Sequence, residues 1–523
     1  MMKKNIFKYS WLTIALFGLV GCDVNNDLDP IAGPEVPQVA LTTGNLDLSN
    51  FVAVGASFSA GFTDNALFIA AQESSFPNIM SQKFQMAGGG DFVQPLMSDN
   101  IGGLLFGGTM IQAPRLYFNG AGPAVLNAMP TTEVTTKLTS NNNNYGIPGA
   151  KSYHFVAPGY GSVNAVPLGQ ANPYFARISS SESATVLGDV MANAPTFFTL
   201  SEIGGNDVLG YALGGGAGVD QTGNPNAASY GPADITDPTL FAGIVNQMVT
   251  TLTSNGAEGV IGNIPYITTL AHFTTVPHNP VPLDAATAAG VNQAYAAYNQ
   301  GLQDVLNAKN AGLLPAQVVA LLDQAGFDQA EVDKRQISFA EGSNAVVIVD
   351  EYLTDLTLVN PALVSLRQAT QEDLLVLPSS SFIGTLADPS NPASVNGVGV
   401  PLADKWVLTP QEQNNIKVAT DSYNATLKSV ADANGLGFVD FNVVLQNAAT
   451  GGLEFDTYVL TTDLVTGGLI SLDGVHLTGR GYALMANKFL EAVDTQYSSN
   501  FTSATDGLAN ADDHPTNYSP TFR

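Results

Sequence analysis

Three stretches far apart in the chain carry side chains that can divide the work of a nucleophilic reaction. Gly55-Ala56-Ser57-Phe58-Ser59-Ala60-Gly61 directly follows the apolar run Phe51-Val52-Ala53-Val54. A Ser in a Gly-flanked turn between strand and helix presents its hydroxyl above the sheet edge, and its own N–H lies at a helix N-terminus, where developing negative charge is stabilised. The same residue type is also an ordinary helix cap. Near the other end stands Asp473-Gly474-Val475-His476. A neutral imidazole can take a hydroxyl proton near neutral pH, and a carboxylate three residues earlier reaches the second ring nitrogen through a turn, fixing the tautomer and stabilising the imidazolium. An Asp and a His there would equally cap the helix that follows.

Between these lie two turns that offer hydrogen-bond donors. Gly204-Gly205-Asn206-Asp207 has turn-favouring composition, and the Asn206 amide is a candidate donor to a tetrahedral oxyanion. Asn144-Tyr145-Gly146-Ile147-Pro148-Gly149 is a second Gly-rich turn, with a backbone N–H to add. Of the other histidines, His154 and His272 sit in apolar sequence and read as packing residues, while His278 and His514 fall in loop or tail.

The elements that must position these groups follow from hydrophobic patterning. Short continuous apolar runs near 51–54, 196–200, 259–265, 345–349 and 437–441 predict strands buried on both faces. Helical periodicity appears at 239–254, 285–308, 314–325, 411–434 and 479–494. This alternation argues a parallel sheet covered by helices. Three regions exceed a minimal unit, at about 64–140, 208–236 and 266–410, and read as insertions decorating one sheet.

Composition narrows the classes of function. The 523 residues carry 18 Lys+Arg against 45 Asp+Glu, a net charge of −27 that argues against a nucleic-acid partner. Lys3, Lys4 and Lys8 precede the apolar run 11–20, which is too short to span a bilayer but fits a signal-peptide core. It ends in Leu19-Val20-Gly21-Cys22, which resembles a bacterial lipobox. That resemblance implies cleavage of residues 1–21 and lipidation of Cys22, the single cysteine, leaving no thiol for disulfides or catalysis. Residues 22–48 then read as the lipidated Cys and a flexible tether, 49–495 as the folded domain and 496–523 as a flexible tail. The expected location is a bacterial cell envelope, lipid-anchored, with the outer membrane as destination.

Taken in order, the four blocks resemble the SGNH (GDSL) hydrolase family. That family has a Gly-Asp-Ser nucleophile turn, an Asn-x-x-x-x-Gly turn, a Gly-x-Asn-Asp turn and a terminal Asp-x-x-His. The resemblance implies a three-layer α/β/α fold with a central parallel, flavodoxin-like sheet, here carrying large insertions. It makes Ser57 the nucleophile, His476 the base and Asp473 its orienting carboxylate. The oxyanion hole would comprise the Ser57 N–H, the Gly149 N–H and the Asn206 amide. No cofactor or metal is implied, and the partner is an ester substrate, lipid or acylated glycan. Two departures stand out: Ala56 replaces the family Asp, and Leu477 replaces the Pro that often follows the His. There is no Gly-x-Ser-x-Gly elbow at Ser57, no dinucleotide or Walker loop and no His-Glu-x-x-His. The expected activity is lipase- or esterase-type hydrolysis through an acyl-enzyme. Removal of O-acetyl groups from carbohydrate, or a non-catalytic surface-binding role, are the alternatives.

Overall fold

Glycine-bounded apolar runs become the strands of a central sheet. In the computed structural model, which describes residues 38–139 and 141–523, these are β1 (Phe51–Gly55), β2 (Asn144–Gly146), β3 (Phe197–Ser201), β4 (Glu258–Gly262) and β5 (Gly437–Val439). All neighbours are parallel, in the order β2-β1-β3-β4-β5, one of the two common doubly wound orders. Every residue of β1 and β3 is buried, as a sheet covered on both faces requires. Cys22 and the signal segment lie outside the described residues.

Helices flank this sheet. Those that matter for the site are α1 (Ser57–Ala60), α2 (Phe76–Met86), α3 (Gly205–Leu213), α4 (Pro238–Leu252), α5 (Ala285–Asn310), α6 (Pro410–Ala433), α7 (Phe441–Thr450) and α8 (Gly479–Tyr497). Phe51 and Phe197 are register partners, and their rings lie 5.1 and 5.6 Å from Phe84 of α2. Phe76 of α2 stacks on Phe489 of α8 at 4.8 Å. A separate pair forms from α4 and α6, where Phe241 stacks on Tyr423 at 4.2 Å.

Three features differ from the sequence reading. The run 345–349 contributes Val347–Val349, but this strand pairs antiparallel with Leu366–Gln368 rather than joining the central sheet. It belongs to a second apolar core, built with α5 from residues such as Leu302, Phe327, Val347 and Ile348, so its continuous burial is real but comes from the 266–410 segment. Conversely Asn144–Gly146, read as a turn, is the edge strand of the sheet. Third, the ends of the chain are packed. Leu46 and Leu48 are buried, and the Asn500 side chain bonds the backbone of Ala40 (2.9 Å) and Thr42 (2.7 Å). Phe501 and Ala511 are fully buried.

The terminal residues are fastened by Arg115, whose fully buried guanidinium donates to the carbonyls of Tyr518 (3.3 Å), Ser519 (2.7 Å) and Phe522 (2.9 Å). Polar composition suggested a loose tail, but a buried cation with no carboxylate within ion-pair distance among the described residues seeks carbonyl oxygens, and the tail supplies them. Among the described residues no helix is long and apolar enough to cross a membrane. Arg115→Met leaves these carbonyls without their donor. The expected result is loss of about 3 kcal/mol or more, with residues 515–523 becoming cleavable in limited proteolysis; an unchanged cleavage pattern would show that the tail is held by other means.

Candidate active site

The chain leaves β1 at Gly55 and enters α1 at Ser57 with a single residue between. A Cβ on Gly55 would fall 2.1 Å from Ser59 Oγ and 2.7 Å from the Ser201 carbonyl, so the turn closes only with glycine. The turn is held from below by Glu202, at the end of β3. Its Oε1 accepts the N–H groups of Ala56 (2.6 Å) and Ser59 (2.9 Å). Position 56 lacks the family carboxylate, yet a carboxylate still underlies this turn, contributed by a neighbouring strand. Burial pushes the Glu202 carboxyl up from 4.5 to about 7, although hydrogen bonds from Ser201, Ser59 and Ala56 act in the opposite sense.

Asp473 and His476 form the expected pair, with Nδ1 2.9 Å from Oδ2. Asp473 Oδ1 accepts the N–H groups of Val475 and His476, each at 2.8 Å, and Oδ2 also accepts the Asn65 N–H at 2.8 Å. Burial opposes the charge on Asp473, but the His476 charge and the hydrogen bonds from His476 and Val475 outweigh it and hold the carboxyl well below the usual range. With Nδ1–H committed to this carboxylate, Nε2 is the nitrogen left to accept a proton.

The imidazole stands against α1: its ring centroid is 5.8 Å from that of Phe58 and 4.6 Å from that of Phe62. Residues 62–65 bind the nucleophile turn to the Asp-His loop. Tyr482 donates to the Phe62 carbonyl (2.5 Å), Thr63 Oγ1 to the Leu477 carbonyl (2.8 Å), and the Leu472 N–H to Asp64 Oδ1 (3.1 Å). Asp64 and Asn65 are left-handed, with φ of 51° and 64°, a conformation that Asp and Asn tolerate best after glycine. Among the described residues no hydrogen bond joins Ser57 Oγ to His476.

Asn206 opens α3, and its Nδ2 donates one hydrogen to the Ala150 carbonyl at 3.0 Å. The amide carries a second hydrogen. Gly149, with φ of 80°, lies one residue before that carbonyl. Asn172 Nδ2 donates to the Pro148 carbonyl at 2.7 Å. Since that carbonyl and the Gly149 N–H share one trans peptide, fixing the first turns the second to the opposite side. The Asp207 carboxylate accepts both the N–H (2.8 Å) and Oγ (2.7 Å) of Ser152, tying the Gly149 segment to α3.

Sequence reasoning missed Glu202, Asn65, Asn172 and the bracing role of Asp207. Asp207 was visible in the Gly-Gly-Asn-Asp run; the other three carry no local signal. His272 lies against the Asp-His loop, its backbone N–H donating to the Gly474 carbonyl at 2.9 Å, and neither of its buried ring nitrogens has a hydrogen-bond partner among the described residues. His154 Nδ1 accepts the Lys151 N–H at 3.0 Å, and burial pushes it down to about 4.

Ala56, Ser57, Gly205 and Asn206 share a cleft of ≈ 570 Å³, a volume that includes its open mouth. Its remaining walls are largely apolar, among them Leu209, Ile264, Ile470 and Val475. Only Ile267 and Leu270 in this wall come from the 266–410 segment. No family model matches the chain, and neither a curated protein nor a solved structure is significantly similar to it.

The Glu202 environment sets a pH dependence of stability. Between about 4.5 and about 7 the unfolded chain gives up a proton that the folded chain retains, so this group lowers stability as pH rises through that window. Glu202→Gln keeps an oxygen for the two N–H groups and removes the titration. The expected outcome is a Tm-versus-pH curve that lacks part of the decline of the parent protein across that interval; superimposable curves would show that Glu202 is ionised throughout.

Proposed function

We propose that the chain is a serine hydrolase of carboxylic esters, of SGNH type, anchored by lipid in the cell envelope and working through an acyl-enzyme. The observation that carries this reading is the convergence of Ser57 and Asn206 on one cleft, with the Asp473–His476 pair against the helix that Ser57 opens. His476 Nε2 takes the Ser57 proton as Oγ bonds to the ester carbonyl carbon. Charge then moves onto the carbonyl oxygen, where the Ser57 N–H, the Gly149 N–H and the free hydrogen of the Asn206 amide receive it. His476 returns the proton to the leaving alcohol, and water repeats the attack on the acyl-Ser57 ester with the same base. Asp473 remains ionised and stabilises the imidazolium in both halves. The strand order of the sheet and the order of the four blocks along the chain support the family resemblance.

The apolar cleft favours an acyl chain longer than acetyl. A wall of Leu209, Ile264, Ile470 and Val475 recovers about 0.8 kcal/mol for each methylene it shields from water, which a two-carbon acyl group cannot exploit.

Aryl esters of graded chain length test both levels. Ser57→Ala and His476→Ala are expected to lower kcat/KM by at least about 10⁴-fold, and Asn206→Ala by about 10²–10³-fold. Undiminished turnover in Ser57→Ala would overturn the assignment. A preference for acetylated oligosaccharide over longer acyl esters would select the carbohydrate O-acetyl esterase reading. Failure of a fluorophosphonate probe to label Ser57 would select the binding protein.

A further inference from the structure

A second polar cluster lies where the 266–410 segment meets the rest of the fold. Glu351, Asp404 and Glu412 each bring a carboxylate oxygen within 4.8 Å of the other two. Glu351 follows the strand Val347–Val349, Asp404 opens the short 3-10 helix Asp404–Trp406, and Glu412 lies in the first turn of α6. Among the described residues no ion pair reaches any of the three. Nearby bases are committed elsewhere: Lys334 and Arg367 bind Asp350, at 3.5 and 2.5 Å, Lys417 binds Asp421 at 2.6 Å, and Lys405 lies over the Trp406 ring at 5.1 Å.

Glu412 makes the arrangement informative. It is fully buried. Its Oε2 accepts the Thr409 N–H at 2.6 Å, closing the cap of α6, while its Oε1 is buried with no hydrogen-bond partner. Asp404 Oδ1 is likewise buried and unpartnered. Leaving one such oxygen unsatisfied costs several kcal/mol, more where a like charge stands beside it. Burial, then the neighbouring acids, push Glu412 up to about 9 and Asp404 up to about 6. The backbone after α3 closes over the cluster at its two glycines. A Cβ on Gly216 would fall 2.4 Å from Glu412 Oε1, and one on Gly215 would fall 2.3 Å from the Asp404 carbonyl. The fold therefore brings uncompensated carboxylate oxygens together and leaves no room for a side chain beside them.

We propose that Glu351, Asp404 and Glu412 form a divalent-cation site that binds Ca²⁺. All donors are hard oxygens, with no imidazole or thiolate to favour a softer metal. Calcium–oxygen distances of about 2.3–2.6 Å separate two oxygens across one ion by up to about 5 Å, which accommodates the spacing here. A dication leaves the three carboxylates with a single net negative charge. It links the 266–410 segment, through Glu351, to α6 and to the loop that leaves α3, the helix carrying Asn206.

The experiment uses the purified protein stripped of metal with EDTA and then titrated with Ca²⁺. Binding is read by calorimetry and by Tm, and also by luminescence of Tb³⁺ as a Ca²⁺ surrogate, sensitised by Tyr211 and Tyr352, which lie near Glu412. The expected result is one saturable site per chain and a Tm that rises with Ca²⁺. Glu351→Gln, at an exposed position that does not threaten folding, and Asp404→Asn should each lose that transition. Asp355→Asn, an exposed neighbour, should keep it. Absence of a 1:1 saturable event at millimolar Ca²⁺, or an event undiminished in both Glu351→Gln and Asp404→Asn, would overturn the proposal.

Discussion

Everything around Ser57 depends on a buried carboxylate that is fully supplied with donors. Asp473 is taken out of water near the end of the chain, and an isolated charge there would be untenable. It is retained because four groups point at it: the Nδ1–H of His476 and the backbone N–H groups of Val475, His476 and Asn65. Three of these come from its own turn. The fourth comes from the segment just after α1. The same contacts that keep Asp473 ionised therefore bring the start and end of the chain into register, and the imidazole is delivered to the helix that begins with Ser57.

Glu202 shows what happens when the donor set is smaller. It too is buried and lies close to the same turn, but only two backbone N–H groups reach its Oε1, and its Oε2 has no partner. Burial then dominates and the carboxyl is pushed upward, whereas Asp473 is held down. Two carboxylates in one neighbourhood are separated by their hydrogen-bond supply and by the His476 charge beside Asp473, a general route to distinct protonation states within one site. With its carboxyl raised to about 7, Glu202 is only partly ionised at neutral pH, whereas Asp473 keeps its full charge beside His476.

How much of this was legible in the sequence depended on whether the signal was local. Phe51–Val54 announces a strand and Gly55 its closure because burial and turn geometry are read within a few residues; β3, β4, β5 and the long helices α4, α5, α6 and α8 follow in the same way. Asp473 and His476 were legible for the same reason, being three residues apart on one turn. Local patterning could not say that Val347–Val349 is covered by α5 rather than by the sheet helices, since the run looks identical in both settings. Nor could it show Arg115 holding carbonyls some four hundred positions away, so a Ser-, Thr- and Asn-rich terminus read as loose. Asn144–Gly146 is too short and polar to declare itself a strand, and it pairs only because β1 offers an edge. Glu202, Asn65 and Asn172 act through backbone groups of distant segments, which no spacing rule anticipates.

The long insertions can now be weighed against the cleft. The 266–410 segment carries its own apolar core, with Leu302, Phe327 and Ile348 in its interior, while Phe273, Val376 and Leu408 join the main core around the sheet. Its contribution to the wall beside Ser57 is confined to Ile267 and Leu270, at the point where the chain departs from β4. The rest of that wall comes from the turn into α1, from Glu202, from α3, from the stretch after β4, from Leu445 of α7 and from the stretch around the Asp-His loop. The cleft wall is thus built from the same elements that hold Asn206 and His476 in place, and a change there would disturb their positioning along with the shape of the cleft. The insertion also meets these elements in its interior, where Leu374 and Val376 pack on the main core. At the junction with α6, Glu351, Asp404 and Glu412 bring three carboxylates together beside two glycines, and the buried Glu412 Oε1 has no hydrogen-bond partner among the described residues, so charge as well as packing shapes the arrangement there.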